Sequence, residues 1–175
     1  HCGCIVFRRN RSGYGCQCII RGTVNILDQH PWRDLSGNAI GDIREYIKKY
    51  SLEKYTLHIG TDTKPEFDSV TLISTICFRE EGKGAVVAYQ KSRTSVFPAV
   101  RDRLFHETFV SLELAAALLE LTGSRATIHA DVNPKKDTLS NTTLDAIIGM
   151  IKGMGYPVLV KPEAWAADIA DMYTR

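Results

Sequence analysis

Two aspartates sit where β-type runs end, and they are the first residues in this chain whose type and placement offer chemistry. Asp62 stands near the end of Thr-Leu-His-Ile-Gly-Thr-Asp-Thr at 56 to 63, and Asp131 near the end of Arg-Ala-Thr-Ile-His-Ala-Asp-Val-Asn at 125 to 133. Side chains alternate along a strand, so Leu57, Ile59 and Thr61 take one face while His58, Gly60 and Asp62 take the other. If the two runs are neighbours, both carboxylates reach the C-terminal edge at which α/β sheets bind ligands. Carboxylates held together repel unless something neutralises them, and hard oxygen donors suit Mg²⁺ or Mn²⁺ better than softer metals. The pair therefore implies a cation. Taken singly, each aspartate also reads as an ordinary turn or capping residue.

Other acidic residues could complete the cluster. Glu107 lies near the start of a long helical pattern, with Ser111, Leu114 and Leu118 following at helical spacing beside the apolar stripe. Glu113 competes with it, but its neighbour Glu120 points to a solvated face. Asp168 and Asp171 are three apart on the last helical stretch and so point the same way; one or both can close the cluster, or both can belong to an acidic outer face. His58 and His129 lie on the carboxylate side of their strands, where a satisfied core histidine is the common outcome.

These residues need a scaffold. After a possible cysteine-containing hairpin in the first thirty residues, Ile40, Ile43, Tyr46, Ile47 and Tyr50 recur at helical spacing and predict a helix from Asp34 to Tyr50. Strands follow at 56 to 63, Ser69 to Phe78 and Ala85 to Arg93, the last two joined by the charged glycine turn Arg-Glu-Glu-Gly-Lys-Gly. A helix from Arg101 to Thr122 stops at Gly123. The strand at 125 to 133 leads through a Pro-Lys-Lys-Asp loop to a helix from about Ser140 to Met154, then to a strand from Pro157 to Lys161 and an alanine-rich helix opened by Pro162. A meander followed by βαβ units predicts an α/β fold: a mixed five-stranded sheet, part antiparallel and part parallel, with helices on both faces.

Composition narrows the class. A chain of 175 residues that is 44% hydrophobic can bury one core. No apolar run reaches the roughly 18 residues of a membrane span, so no membrane is expected as partner. Net charge is only +2, and residues 1 to 31, with four arginines against one aspartate, carry +3 of it; the remainder is slightly acidic at −1. Any nucleic-acid contact must rest on local charge. Cys77 stands alone in an apolar run and reads as a buried thiol. No signal peptide is evident and position 1 is not Met, so the expectation is a cytoplasmic protein whose true start is missing or trimmed. Cys2, Cys4, Cys16 and Cys18 would let a hairpin gather four thiols around Zn²⁺, but their Cys-x-Cys spacing is not the usual Cys-x-x-Cys, and an extension without a metal site is favoured.

His-Ile-Gly-Thr-Asp-Thr at 58 to 63, Glu107 with Ser111, Ile-His-Ala-Asp-Val-Asn at 128 to 133, Gly-Met-Ile-Lys-Gly-Met-Gly at 149 to 155 and Lys-Pro-Glu-Ala-Trp-Ala-Ala at 161 to 167 together resemble the ribonuclease H-like superfamily and, more narrowly, its YkuK-type family. The resemblance covers about four fifths of the chain, from residue 32 to 175, and leaves 1 to 31 as an N-terminal extension. It implies a ribonuclease H-like domain in which Asp62, Glu107, Asp131, and Asp171 or Asp168 hold two Mg²⁺ or Mn²⁺ ions for phosphodiester hydrolysis of DNA or RNA. The family's common Gly-Thr-Asp-Ser reads Gly-Thr-Asp-Thr here, which keeps the hydroxyl. Lys64, Lys135, Lys136 and Lys161 leave the same sheet edge and are candidates for phosphate contact. The competing reading is a catalytically silent module that binds nucleic acid or a protein; neither reading fixes an oligomeric state.

Overall fold

The computed structural model describes residues 6–8, 17–19, 25–50, 53–133 and 141–173. Near the N-terminus β1 (Val6–Arg8) pairs antiparallel with β2 (Gln17–Ile19), with Phe7 opposite Cys18. Of the four cysteines weighed against a zinc site, Cys2, Cys4 and Cys16, and the side chain of Cys18, lie outside the described residues.

The main body is one seven-stranded sheet in the order β4-β3-β7-β6-β5-β8-β9. Its centre is the meander β5 (Thr56–Pro65), β6 (Val70–Glu80) and β7 (Gly84–Thr94), joined through antiparallel ladders. The β6–β7 turn uses Gly82 and Gly84 at positive φ, 75° and 102°, as its glycine-rich sequence requires. On the other side of β5, β8 (Thr127–Ala130) and β9 (Val158–Val160) are parallel, with α4 (Asn141–Gly153) as the crossover between them. The sheet is mixed, as the pattern predicts.

Seven strands replace the expected five because the predicted helix from Asp34 to Tyr50 does not form as such. Its first half is β3 (Trp32–Asp34) and β4 (Ala39–Ile40), which extend the sheet beside β7. The cause is local: the Asp34 carboxylate accepts the backbone N–H groups of Ser36 and Asn38, and Gly37 takes a φ of 84°. Turn chemistry of this kind outcompetes helical spacing. Only α2 (Ile43–Lys48) is helical, capped by Asp42, whose carboxylate accepts from Arg44 and Glu45. A short helix, α1 (Ile26–Gln29), precedes β3 and buries Ile26 and Leu27 in the main core.

The core lies between one sheet face and α3 (Val100–Thr122), where Leu104, Leu112, Leu114, Ala115 and Leu118 meet Leu57, Ile59, Ile76, Phe78 and Ile128. α3 ends at Gly123 in the left-handed conformation, φ 73°, as its sequence position suggests. Ile147 and Ile151 of α4 and Ile43 and Ile47 of α2 join the same core. The opposite sheet face is covered by α5 (Trp165–Met172), which starts at Trp165, three residues after Pro162. Cys77 is buried there with Val87 and Ala166, and burial pushes its thiol up to about 12. Among the described residues no helix is long and apolar enough to cross a membrane.

Candidate metal centre

The two aspartates of the sequence pattern meet through register. β5 and β8 pair as His58 with Thr127, Ile59 with Ile128 and Gly60 with His129. Two residues further along each strand the ladder has ended and the positions are Asp62 and Asp131. In-register neighbours of a parallel pair share a face, so both carboxylates emerge on the face that carries α5, where the strands part. β5 itself continues to Pro65, paired with β6, so Asp62 lies within a strand and is held rigidly.

α5 is seated against this edge by a glycine. A Cβ on Gly60 would stand 2.1 Å from the carbonyl oxygen of Ala166 and 2.5 Å from the nitrogen of Ala167, so backbone meets backbone there. A buried chain fixes the start of the helix. The Ala166 N–H donates to His129 Nδ1 over 3.3 Å. That nitrogen is an acceptor, so His129 Nε2–H donates to His58 Nδ1 over 3.0 Å, and His58 Nε2–H in turn donates to Thr56 Oγ1 over 2.9 Å. Burial holds both imidazoles neutral, at about 4, and the His129 ring is lowered further by His58 and Arg79. Both histidines are satisfied core residues that position α5.

Glu107 reaches the cluster from the other face. It is 4% exposed at the first third of α3, whereas Glu113 is exposed. Thr63 donates its hydroxyl to Glu107 Oε1, and Arg103 donates to the same oxygen over 3.1 Å. The hydroxyl kept in Gly-Thr-Asp-Thr thus orients a carboxylate. Arg103, which the sequence reading missed, stands at the i,i+4 spacing that would have revealed it. Ser111 donates to Thr61 over 2.8 Å, tying α3 to β5 one turn further on.

The electrostatics are those of an anionic site short of cations. Burial raises the Asp62 carboxyl to about 6, helped by the charges of Asp131 and Asp171 and opposed by the Thr63 amide and Arg103. Burial likewise raises Glu107 to about 8; Arg103 and Thr63 pull it down, while Asp62 and Asp131 push it up. Lys161 forms an ion pair with Asp131 and also senses Asp168 and Asp62; these charges overcome burial and hold its ammonium above the usual lysine value. Asp171 is therefore the C-terminal aspartate that acts on Asp62, and Asp168 the one that acts on Lys161. Lys64 is exposed beside the site, and Lys135 and Lys136 lie outside the described residues.

Among the described residues, no three His, Cys, Asp or Glu side chains stand close enough to form a ready metal-binding group. The ion pairs explain this, since Asp131 turns toward Lys161 and Glu107 toward Arg103. The donor set still fits a hard divalent ion: four carboxylates brought by β5, α3, the end of β8 and α5 face two cations, and two of them, Asp62 and Glu107, are raised by burial and by neighbouring carboxylates.

These values have a consequence for stability. The folded-state carboxyls, at about 6 and about 8, lie above their ordinary values of 3.8 and 4.5. The folded chain therefore keeps protons that the unfolded chain has released, and metal-free stability is full only below the ordinary values and falls as pH rises from about 4 through 6 to about 8. Glu107→Gln keeps the acceptor for Thr63 and Arg103 and removes the titration. Urea melts in EDTA should show the variant more stable than wild type by up to about 4 kcal/mol at pH 8 and by no more than about 1 kcal/mol at pH 5. Equal and parallel pH profiles for the two proteins would contradict the raised Glu107.

Comparison with known proteins agrees with the fold. The chain is similar to the uncharacterized protein YkuK of Bacillus subtilis (strain 168), 26% identical over 152 residues that span 76% of this chain and 87% of the relative. A family model described as Ribonuclease H-like matches residues 38–175, a stretch that holds β5, α3, β8 and α5 with all of the carboxylates discussed, and the chain belongs to that ribonuclease H-like family.

Proposed function

We propose that this protein is a nuclease that hydrolyses phosphodiester bonds of DNA or RNA with Mg²⁺ or Mn²⁺ held by Asp62, Glu107, Asp131 and Asp171. The observation that carries the reading is the in-register emergence of Asp62 and Asp131 where the β5–β8 ladder ends, with Asp62 in the fields of both Asp131 and Asp171. Two divalent ions in such a site supply charge stabilisation to the attacking and departing oxygens of a phosphate. The chain's own residues do the rest. Thr63 and Arg103 hold Glu107 in one orientation, Gly60 and His129 fix the helix that carries Asp171 and Asp168, and Lys161 and Lys64 offer positive charge to phosphate oxygens. The site-bearing unit is the region from residue 32 onward, with residues 1 to 31 as an extension.

Calorimetric titration with Mn²⁺ tests the binding half of this reading. Wild type should take up more than one Mn²⁺ per chain and release protons as it does, because Asp62 and Glu107 are partly protonated before the ion arrives at pH 7. The heat and the proton release should both diminish in Asp62→Asn. No saturable Mn²⁺ binding at millimolar concentration would remove the metal from the proposal.

The silent-module reading has its own support in the same ion pairs, which give Glu107 and Asp131 each a protein cation as partner in the metal-free state. It expects nucleic-acid binding that is independent of Mn²⁺ and no turnover.

A further inference from the structure

Beyond the carboxylates, the face that carries α5 shows three rows of residues across the sheet. Strand pairing defines them. Gly60, Thr75, Tyr89 and Arg33 form one row, Asp62, Ile73 and Lys91 the next, and Lys64, Thr71 and Arg93 the third. Ile73 and Tyr89 pack with Ala170 of α5, which fixes the side of the sheet on which these rows lie. Residues directly opposite in a ladder share a face, so Lys91 points to the same side as Asp62 and Arg33 to the same side as Tyr89.

α5 covers only part of this face. Its last turn ends against Tyr89, where Tyr173 stacks with ring centroids 4.5 Å apart, and the Tyr173 hydroxyl donates to the Leu35 carbonyl. Past that wall an open depression is lined by Pro31, Arg33, Gly37, Tyr89 and Lys91. Arg33, Lys91 and Lys64 are all exposed. Lys64 and Lys91 have no carboxylate partner among the described residues, and Arg33 donates to the Gly37 carbonyl. Arg93 differs, being paired with Glu66 at 2.7 Å. The nearest acid on the hairpin, Asp34, is engaged by Asn38 and Ser36.

We infer that the phosphodiester backbone of a nucleic-acid strand runs from the carboxylate edge across the open sheet face, with Lys91 and Arg33 as its phosphate contacts beyond the site. The inference rests on the nuclease reading above and deepens it by giving the substrate a path. Two strand spacings of about 4.8 Å put the Lys91 backbone roughly 10 Å from that of Asp62 in one row, close enough for one strand to reach both. Three exposed cations on β5, β7 and β3 have no carboxylate partner among the described residues, and a polyanion is the partner their charge complements. The path also accounts for positive charge that a slightly acidic domain otherwise leaves unused.

Anisotropy of a fluorescein-labelled 20-nucleotide strand, titrated with the full chain in EDTA at several salt concentrations, separates the outcomes. The Lys91→Ala/Arg33→Ala double variant should bind about tenfold more weakly at low salt, and its slope of log affinity against log salt should be shallower by about 1.4, or 0.7 per lost cation. Lys91→Gln alone, at an exposed position with no partner to lose, should show about half that change. Lys152→Ala, on α4 behind the opposite face, should match wild type. A wild type that cleaves with Mn²⁺ but whose affinity and salt slope equal those of the double variant, or that binds no strand in EDTA, overturns the path and leaves the site standing. A wild type that neither binds in EDTA nor cleaves with Mn²⁺ overturns both.

Discussion

Asp62→Asn and Asp131→Asn should each lower Mn²⁺-dependent cleavage of a nucleic-acid panel of hybrids, duplexes, junctions and single strands by at least about 10³-fold. Either change removes one charged donor from a site whose anionic character is its chief property, and about 4 kcal/mol of lost transition-state stabilisation corresponds to that factor. The amides are isosteric, so folding should survive. In the absence of metal, Asp62→Asn should even be more stable than wild type near pH 8, because it relieves a buried carboxylate that Asp131 and Asp171 repel. Loss of activity with gain of stability separates a functional carboxylate from a structural one. Cleavage that persists in both variants, or that is absent in wild type on every substrate, would sink the nuclease reading.

Gly60→Ala should cost about 3 kcal/mol or more in urea unfolding and weaken Mn²⁺ binding at the same time. The added Cβ would lie 2.1 Å from the Ala166 carbonyl oxygen and 2.2 Å from its carbon, and neither atom belongs to a side chain that can swing away. α5 would have to lift from β5. In lifting, it strains the hydrogen bonds from Thr75 Oγ1 and to His129 Nδ1 and exposes Ala166, Ala167 and Ala170, which are buried against the sheet. Because Asp171 rides on the same helix, stability and metal affinity should fall together. A variant that loses less than about 1 kcal/mol and binds Mn²⁺ normally would show that α5 is not clamped at Gly60.

Both effects trace to one construction. A glycine two residues before Asp62 lets a helix approach the strand backbone, and a histidine two residues before Asp131 receives the amide of Ala166 in that helix's first turn. The motifs at 58 to 63 and 128 to 133 thus supply acids and the seat for a third at once. Trp165 completes the seat, its ring centroid 4.9 Å from His58 and 4.8 Å from His129.

Although Asp62, read as ending its strand, lies within β5, which runs on to Pro65 along β6, the order of elements from β5 to α5, the long helix ending at Gly123, the charged hairpin and the end-of-strand placement of Asp131 were legible in the sequence. Each depends on short-range periodicity, on glycine conformation, or on the alternation of a strand. The segment from Asp34 to Tyr50 was not. Its apolar residues keep helical spacing, but the Asp34 side chain and Gly37 close a turn, and Trp32 finds a ladder partner in Gln90, fifty-eight positions away. Nothing local announces that partner.

The sequence by itself determined which residues are acidic, that Asp62 and Asp131 lie toward the C-terminal side of their β runs, and that Asp168 and Asp171 share a helical side. Only the tertiary structure decided how their charges are distributed: Asp171 acts on Asp62, Asp168 acts on Lys161, and Glu107 is buried beneath Thr63 and Arg103. The physical reason is range. Backbone preference acts over a few residues and can be read along the chain, whereas burial and Coulomb interaction depend on which strands pair and which helix packs on them. Register and packing are properties of the whole fold, and they turn separate acids into one site.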